Sequence, residues 1–209
     1  MTLFEVGVVI ATVVLLAAIL LPASFRLRQA HPLALKIFCT NNLKQIGLAF
    51  RIWGTDHDDI YPTGVSVAKG GSMEMVVTGN VLQTFVAMSN ELSTPRILQC
   101  PACINGMPVT DFSLLSSSNL SYFVGVDVTN DTSPTALQSG DCNFEIGGKA
   151  AKSGLLCLST NDPLAWHPPR HGTDGNLLLG DGSVQNVTSH SLSAFSVQTG
   201  VATNRLAIP

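Results

Sequence analysis

The sequence predicts an α+β protein, one long N-terminal helix followed by a body of short strands, turns and loops. Three observations carry this reading. From Val6 to Phe25 there is no ionisable side chain, and beyond it an apolar stripe at helical spacing runs on to Trp53. Further along, short β-branched and aromatic segments alternate with clusters of Gly, Asn, Asp and Pro. The length of 209 residues leaves about 150 for one ordinary domain after the apolar segment. The chain is therefore divided into residues 1–25 and a globular body, 26–209, that includes the amphipathic half of the helix (26–54).

The apolar segment comes first. At about 1.5 Å per residue it reaches roughly 30 Å, the thickness of a hydrocarbon core, so it is read as able to span a membrane. Its one charge is Glu5, which costs roughly 2.5–3.5 kcal/mol at bilayer depth and so needs a partner; the nearest candidate cation is an N-terminal amine. Pro22 and Pro32 each remove a backbone donor and predict kinks or local unwinding. A cleaved signal peptide would need a basic start, yet no Lys or Arg precedes Arg26. A plain anchor would put Arg26, Arg28 and Lys36, and the cysteine-bearing body with them, on the cytoplasmic side.

The second half of the helix carries Leu35, Cys39, Leu43, Ile46, Phe50 and Trp53 at steps of four and three, a stripe that packs on the body. Gly54 and the acidic loop after it end the helix. Asn80 caps a helix to about Leu92, with Val81, Phe85, Met88 and Leu92 on one face. Strands are expected at Ile97–Cys100, Ser121–Val128, Ala136–Ile146 and Gly154–Ser159. A hairpin centred near Lys149 and Ala150 sets Cys142 opposite Cys157. Asn176–Val187 reads as two strands about the Asp181-Gly182 turn, and Ser189–Gln198 as a short helix. The tail to Pro209 has no assignment.

Charged residues are 12% of the chain, about half the usual share, which suggests that much of the surface faces other subunits. A net charge of -3 gives no case for nucleic acid as a main partner. Of the five cysteines, Cys142 and Cys157 are expected to be bonded through the hairpin. Cys39 with Cys100 is the second candidate pair, and Cys100 with Cys103 its alternative. Cys100-Pro-Ala-Cys103 could be half a zinc or redox motif, but no second C-x-x-C or histidine pair completes it, so no metal and no cofactor is assigned. Asp127, Asn130, Asp131, Asp174 and Asp181 offer oxygens for a cation without EF-hand spacing. Asn119, Asn130 and Asn186 stand in glycosylation sequons. No nucleophile elbow, phosphate loop or His-Glu-x-x-His helix is present, so no catalytic residue is assigned and the protein is not read as an enzyme. His171 is expected to be hydrogen-bonded near the Asp181-Gly182 turn.

The apolar N-terminal helix with Glu5 and Pro22 in register resembles the type IV pilins and pseudopilins. His171, nine residues and then Asp181-Gly182 is similar to the His-x9-Asp-Gly signature of a pilin-like group in bacteria such as planctomycetes and verrucomicrobia. Cys39-Thr-Asn-Asn-Leu-Lys-Gln-Ile-Gly-Leu-Ala-Phe50, Glu91–Pro95 before Cys100-Pro101, Ser121–Gly125 and Ser139-Gly-Asp141 resemble that group too. The resemblance implies a type IV pilin-like fold, a long helix whose second half packs on a small antiparallel β-sheet with irregular loops. It implies that a prepilin peptidase cuts before Met1, that Met1 is methylated, and that Met1, Glu5 and Pro22 serve assembly. Glu5 would meet the amine of a neighbouring copy in a homopolymeric helical filament built by a pilus assembly machinery. The chain would sit in the inner membrane and then in an extracellular, cell-surface filament, or in the periplasm if it is a pseudopilin of type II secretion. The alternative from another class is a membrane-anchored periplasmic binding protein or enzyme.

Overall fold

The apolar start and its amphipathic continuation form one helix, α1 (Leu3–Thr55), in the computed structural model, which describes residues 2–102, 109–168, 170–200 and 202–209, with the side chains of 19–32 and 196–198 left out. The helix runs through Pro22 and Pro32 as α-helix, so the expected unwinding does not occur. Its start is closed by a reciprocal cap. The Thr2 hydroxyl accepts from the Glu5 amide at 3.4 Å, and the Glu5 carboxylate accepts from the Thr2 amide at 2.7 Å. Cys39, Leu43, Ile46, Phe50 and Trp53 are buried as the stripe predicts, and Leu35 is half-buried.

The expected membrane location is corrected. Among the described residues no helix is long and apolar enough to cross a membrane. An inner-membrane anchor, and the route from it to a cell-surface filament, are therefore not supported.

The expected fold class is corrected as well. In place of one small sheet with irregular loops, nine strands among the described residues form two antiparallel sheets. The strands are β1 (Tyr122–Gly125), β2 (Leu137–Asp141), β3 (Phe144–Ile146), β4 (Lys149–Ala150), β5 (Gly154–Ser159), β6 (Leu164–Trp166), β7 (Asp174–Leu179), β8 (Val184–Thr188) and β9 (Thr203–Ile208). One sheet has the order β5-β9-β1-β2-β7-β8, the other β4-β3-β6. The helices besides α1 are short: α2 (Met73–Val76), α3 (Leu82–Ala87), α4 (Ser89–Leu92) and α5 (Ser189–Gln198).

The middle of the larger sheet is covered on both faces, which explains why β1, β2 and β7 lack alternation. Tyr122, Val124 and Leu178 join the core of α1, α3 and α4. Phe123, Leu177 and Leu206 join a second core with Phe144 and Trp166 of the smaller sheet and Leu192 of α5. Phe144 stacks on Trp166 at a centroid distance of 5.0 Å, and the Trp166 indole donates to the Val187 carbonyl at 2.8 Å. All five residues of β2, Leu-Gln-Ser-Gly-Asp, are buried, and Ser139 satisfies its hydroxyl by donating to the Phe123 carbonyl at 2.6 Å.

Local departures follow from pairing. The hairpin expected to centre near Lys149 and Ala150 turns instead at Gly147-Gly148, with φ of 57° and 76°, and Lys149–Ala150 is strand β4, in which Lys149 pairs with Ile146 of β3. β5 pairs with β9 instead, so Cys157 lies opposite Arg205 rather than Cys142. Cys142 is half-buried and Cys157 exposed, and the two are not bonded to each other, which corrects the expected disulfide. The Ile97–Cys100 strand is replaced by a 3-10 turn at Pro95–Leu98. The helix expected from Asn80 to Leu92 is split at Met88 into α3 and α4, although Val81, Phe85, Met88 and Leu92 still form its buried face.

Candidate buried thiol, carboxylate and imidazole site

Four segments meet where α1 crosses the larger sheet. Cys39 comes from the buried stripe of α1, whose neighbouring turns are tied down by polar contacts. Lys36 pairs with Asp174 at 2.6 Å, the Thr40 hydroxyl donates to the Asn176 side-chain oxygen at 3.2 Å, and the Asn42 amide donates to the Gln99 carbonyl at 3.2 Å. Cys100 follows the Pro95–Leu98 turn, which the Ser121 amide holds to the sheet by donating to the Leu98 carbonyl at 3.0 Å. Asp141 ends β2 directly opposite Tyr122 of β1, on the face that α1 covers. His171 lies in the loop between β6 and β7.

The thiols of Cys39 and Cys100, a carboxylate oxygen of Asp141 and a ring nitrogen of His171 all lie within 4.8 Å of one another. Cys39, Cys100 and Asp141 are fully buried, and the His171 side chain is 3% exposed. His171 Nε2 is 3.2 Å from Cys100 Sγ and 3.8 Å from Asp141 Oδ2. Asp141 Oδ2 accepts from the backbone and side-chain amides of Asn176 at 2.8 and 3.0 Å. Asp141 Oδ1 is buried with no hydrogen-bond partner among the described residues. Arg170 donates to the Ser121 carbonyl at 2.8 Å.

These groups perturb one another. Burial pushes the Asp141 carboxyl up, against the opposing pull of His171, Arg170 and the Asn176 bonds. Burial would lower His171, but its hydrogen bond to Cys100 and the charge of Asp141 outweigh that, so the imidazole ends above its usual value. The hydrogen bond with Cys39 and burial drive the Cys100 thiol far up. Tyr122 rises well above its ordinary value through burial and the nearby Cys39, Asp141 and Cys100. A buried thiol held in its protonated form is a poor nucleophile. Two sulfurs, one oxygen and one nitrogen converging in a dry pocket are, however, a metal-ligand set in kind and number.

Sequence reasoning reaches this site only in part. Cys39 and Cys100 do come together, as free thiols rather than a disulfide. His171 does not join the Asp181-Gly182 turn. That turn is built as expected, with Gly182 at φ 79° and the Asp181 carboxylate accepting from the Ser183 amide at 2.8 Å, but its partner is Arg51 of α1, which donates to the Asp181 carbonyl. Asp141 stands out in the sequence only within Ser139-Gly-Asp141 and Asn176 only as the start of a strand, neither at a metal-ligand spacing. The acidic oxygens considered for a cation go separate ways: Asp127 pairs with Arg205, Asp174 with Lys36, and Asn130 donates to Asp59 at 3.3 Å. Glu5 stays in its capping box, Pro22 lies within continuous helix, and Met1 and Cys103 fall outside the described residues. No protein-family model matches the chain, and neither a curated protein nor a solved structure matches it.

Proposed function

We propose that this chain is a structural subunit, a pilin in the sense of a type IV pilus-like filament, and that it polymerises through α1. The observation that carries the reading is that every side chain from Thr2 to Ala18 is exposed although the segment is almost wholly apolar. Leu3 is 94% exposed, Phe4 80% and Leu15 62%. A helix that is apolar all round is stable only when it is covered all round. The Thr12 hydroxyl is satisfied internally, donating to the Val9 carbonyl at 2.8 Å, and the Glu5 carboxylate accepts one bond from the Thr2 amide, its charge remaining unpaired within the described segment. Such a surface suits dry contact.

The geometry of coverage favours many copies over two. A closed dimer hides one stripe of each helix, whereas staggered copies related by one repeated operation surround each helix on several sides and extend without limit. The apolar surface also continues along the outward side of α1 beyond the bare segment, through Leu33, Ile37, Phe38, Leu48 and Ile52. Glu5 then sets the register, because a carboxylate taken into that core requires a counter-charge from a neighbouring copy.

The test is assembly of the full chain on removal of a mild detergent, followed by sedimentation and electron microscopy. The wild type is expected to form filaments. Phe38→Glu, on an exposed position, is expected to keep the folded body but to cut the sedimenting fraction at least tenfold. A wild type that stays monomeric, or a Phe38→Glu chain that polymerises normally, contradicts the reading.

A further inference from the structure

We propose that Cys39, Cys100, Asp141 and His171 bind one zinc ion, which clamps α1 to the larger sheet. The inference is independent of the assembly reading. Four ligands from three residue types suit a closed, tetrahedral structural site, and two sulfurs select a borderline-soft ion over calcium or magnesium. Zinc–ligand bonds of about 2.0–2.3 Å give a tetrahedron with edges of roughly 3.3–3.8 Å. The observed separations of 3.2 Å and 3.8 Å from His171 Nε2 already lie close to that, and all four donors fall within 4.8 Å.

Two further observations point to a ligand. Asp141 Oδ1 is buried without a hydrogen-bond partner among the described residues, a costly state for a carboxylate oxygen that coordination would relieve. Asp141 Oδ2, meanwhile, is fixed by both amides of Asn176, the outer-shell support that ligating carboxylates receive. Zinc with two thiolates and a carboxylate carries one net negative charge, and Arg170 lies beside it. An open depression of ≈ 470 Å³ lined by Lys36, Arg170, His171 and Gly172 offers a way in. On binding, two S–H protons leave to solvent as two Zn–S bonds form, His171 coordinates through Nε2 as neutral imidazole, and nothing is oxidised or reduced. A Cys39–Cys100 disulfide is the competing state. It would deprive His171 of its thiol partner and leave Asp141 Oδ1 bare.

The test uses the full chain, purified under reducing conditions without chelator, with zinc per chain measured by elemental mass spectrometry. Wild type and Cys157→Ser are expected to hold one zinc each, and Cys39→Ser and His171→Ala less than a tenth of that. Because a misfolded variant also loses metal, a second measurement is made on the wild type itself. Cobalt(II) added to the reduced, metal-stripped chain is expected to give the thiolate charge-transfer and strong d–d bands of tetrahedral cobalt, saturating at one equivalent and abolished by zinc. Absence of zinc together with absence of those bands overturns the proposal. So does zinc that persists in Cys39→Ser and His171→Ala, or a Cys39–Cys100 disulfide found in the freshly isolated chain.

Discussion

Asp181 shows how much one carboxylate contributes at a turn. The Ser183 side chain and amide hold its carboxyl below the ordinary value of 3.8, and a depressed folded-state value stabilises the fold fully above the unfolded value, losing that contribution as pH falls through the folded one. Asp181 is exposed and solvent screens its interactions, so Asp181→Ala is expected to cost at most about 1 kcal/mol at neutral pH, with the difference from wild type shrinking in acid; urea unfolding across pH 2–7 measures it, and a constant gap at all pH values would contradict the assignment. Thiol accessibility gives a second prediction at this scale. Cys157, exposed on β5, should alkylate rapidly in the folded chain, whereas Cys39 and Cys100 should react only on unfolding; peptide mapping after timed iodoacetamide exposure separates them, and a Cys157 resistant to alkylation would reinstate a disulfide. At this scale the sequence is readable where partners are near in the chain, as in Asp181-Gly182-Ser183. It is not readable where they are distant. Cys39, Cys100, Asp141 and His171 obey no motif spacing, because they sit on a helix, a loop, a strand end and a second loop that only the sheet brings together.

Among the elements, α1 is anchored by its stripe and β9 by its neighbours. Leu43→Ala removes a fully buried side chain between helix and sheet and is expected to cost about 3 kcal/mol, read as a drop in the urea midpoint; a loss under about 1 kcal/mol would mean that α1 is not part of the core. Thr203–Ile208 lies between β5 and β1, so removing residues 203–209 should abolish cooperative unfolding of the whole body, where a detachable tail would leave it intact. Helix periodicity predicts α1, and the Asp-Gly turn predicts the β7–β8 hairpin. β9 escapes because Thr-Asn-Arg-Leu-Ala-Ile carries no period-two pattern, and four of its six residues are buried because both faces of the sheet are covered. Pairing order escapes for a related reason. The Gly147-Gly148 turn is legible, but which strand β5 joins depends on a segment some fifty residues further along the chain.

Over the whole molecule, two kinds of apolar surface divide the labour. The stripe of α1 and the two faces of the larger sheet are consumed within the chain, which is why the body is a layered pair of sheets rather than a single small one. The side chains from Leu3 to Ala18 and the outward side of α1 are left over. The length and apolar character of that helix are plain in the sequence. What covers it is not, since a run of Val, Leu and Ala suits lipid and protein alike. The account stands on copies of this chain supplying the cover, and the direct measurement is a helical reconstruction of the assembled full-length chain by electron microscopy. It predicts a filament with Leu3–Ala18 of successive copies packed side by side at the axis, Glu5 beside a positive group of a neighbour, and the two-sheet bodies outside. Discrete particles, or filaments in which Leu3–Ala18 lies on the outer surface, would contradict it.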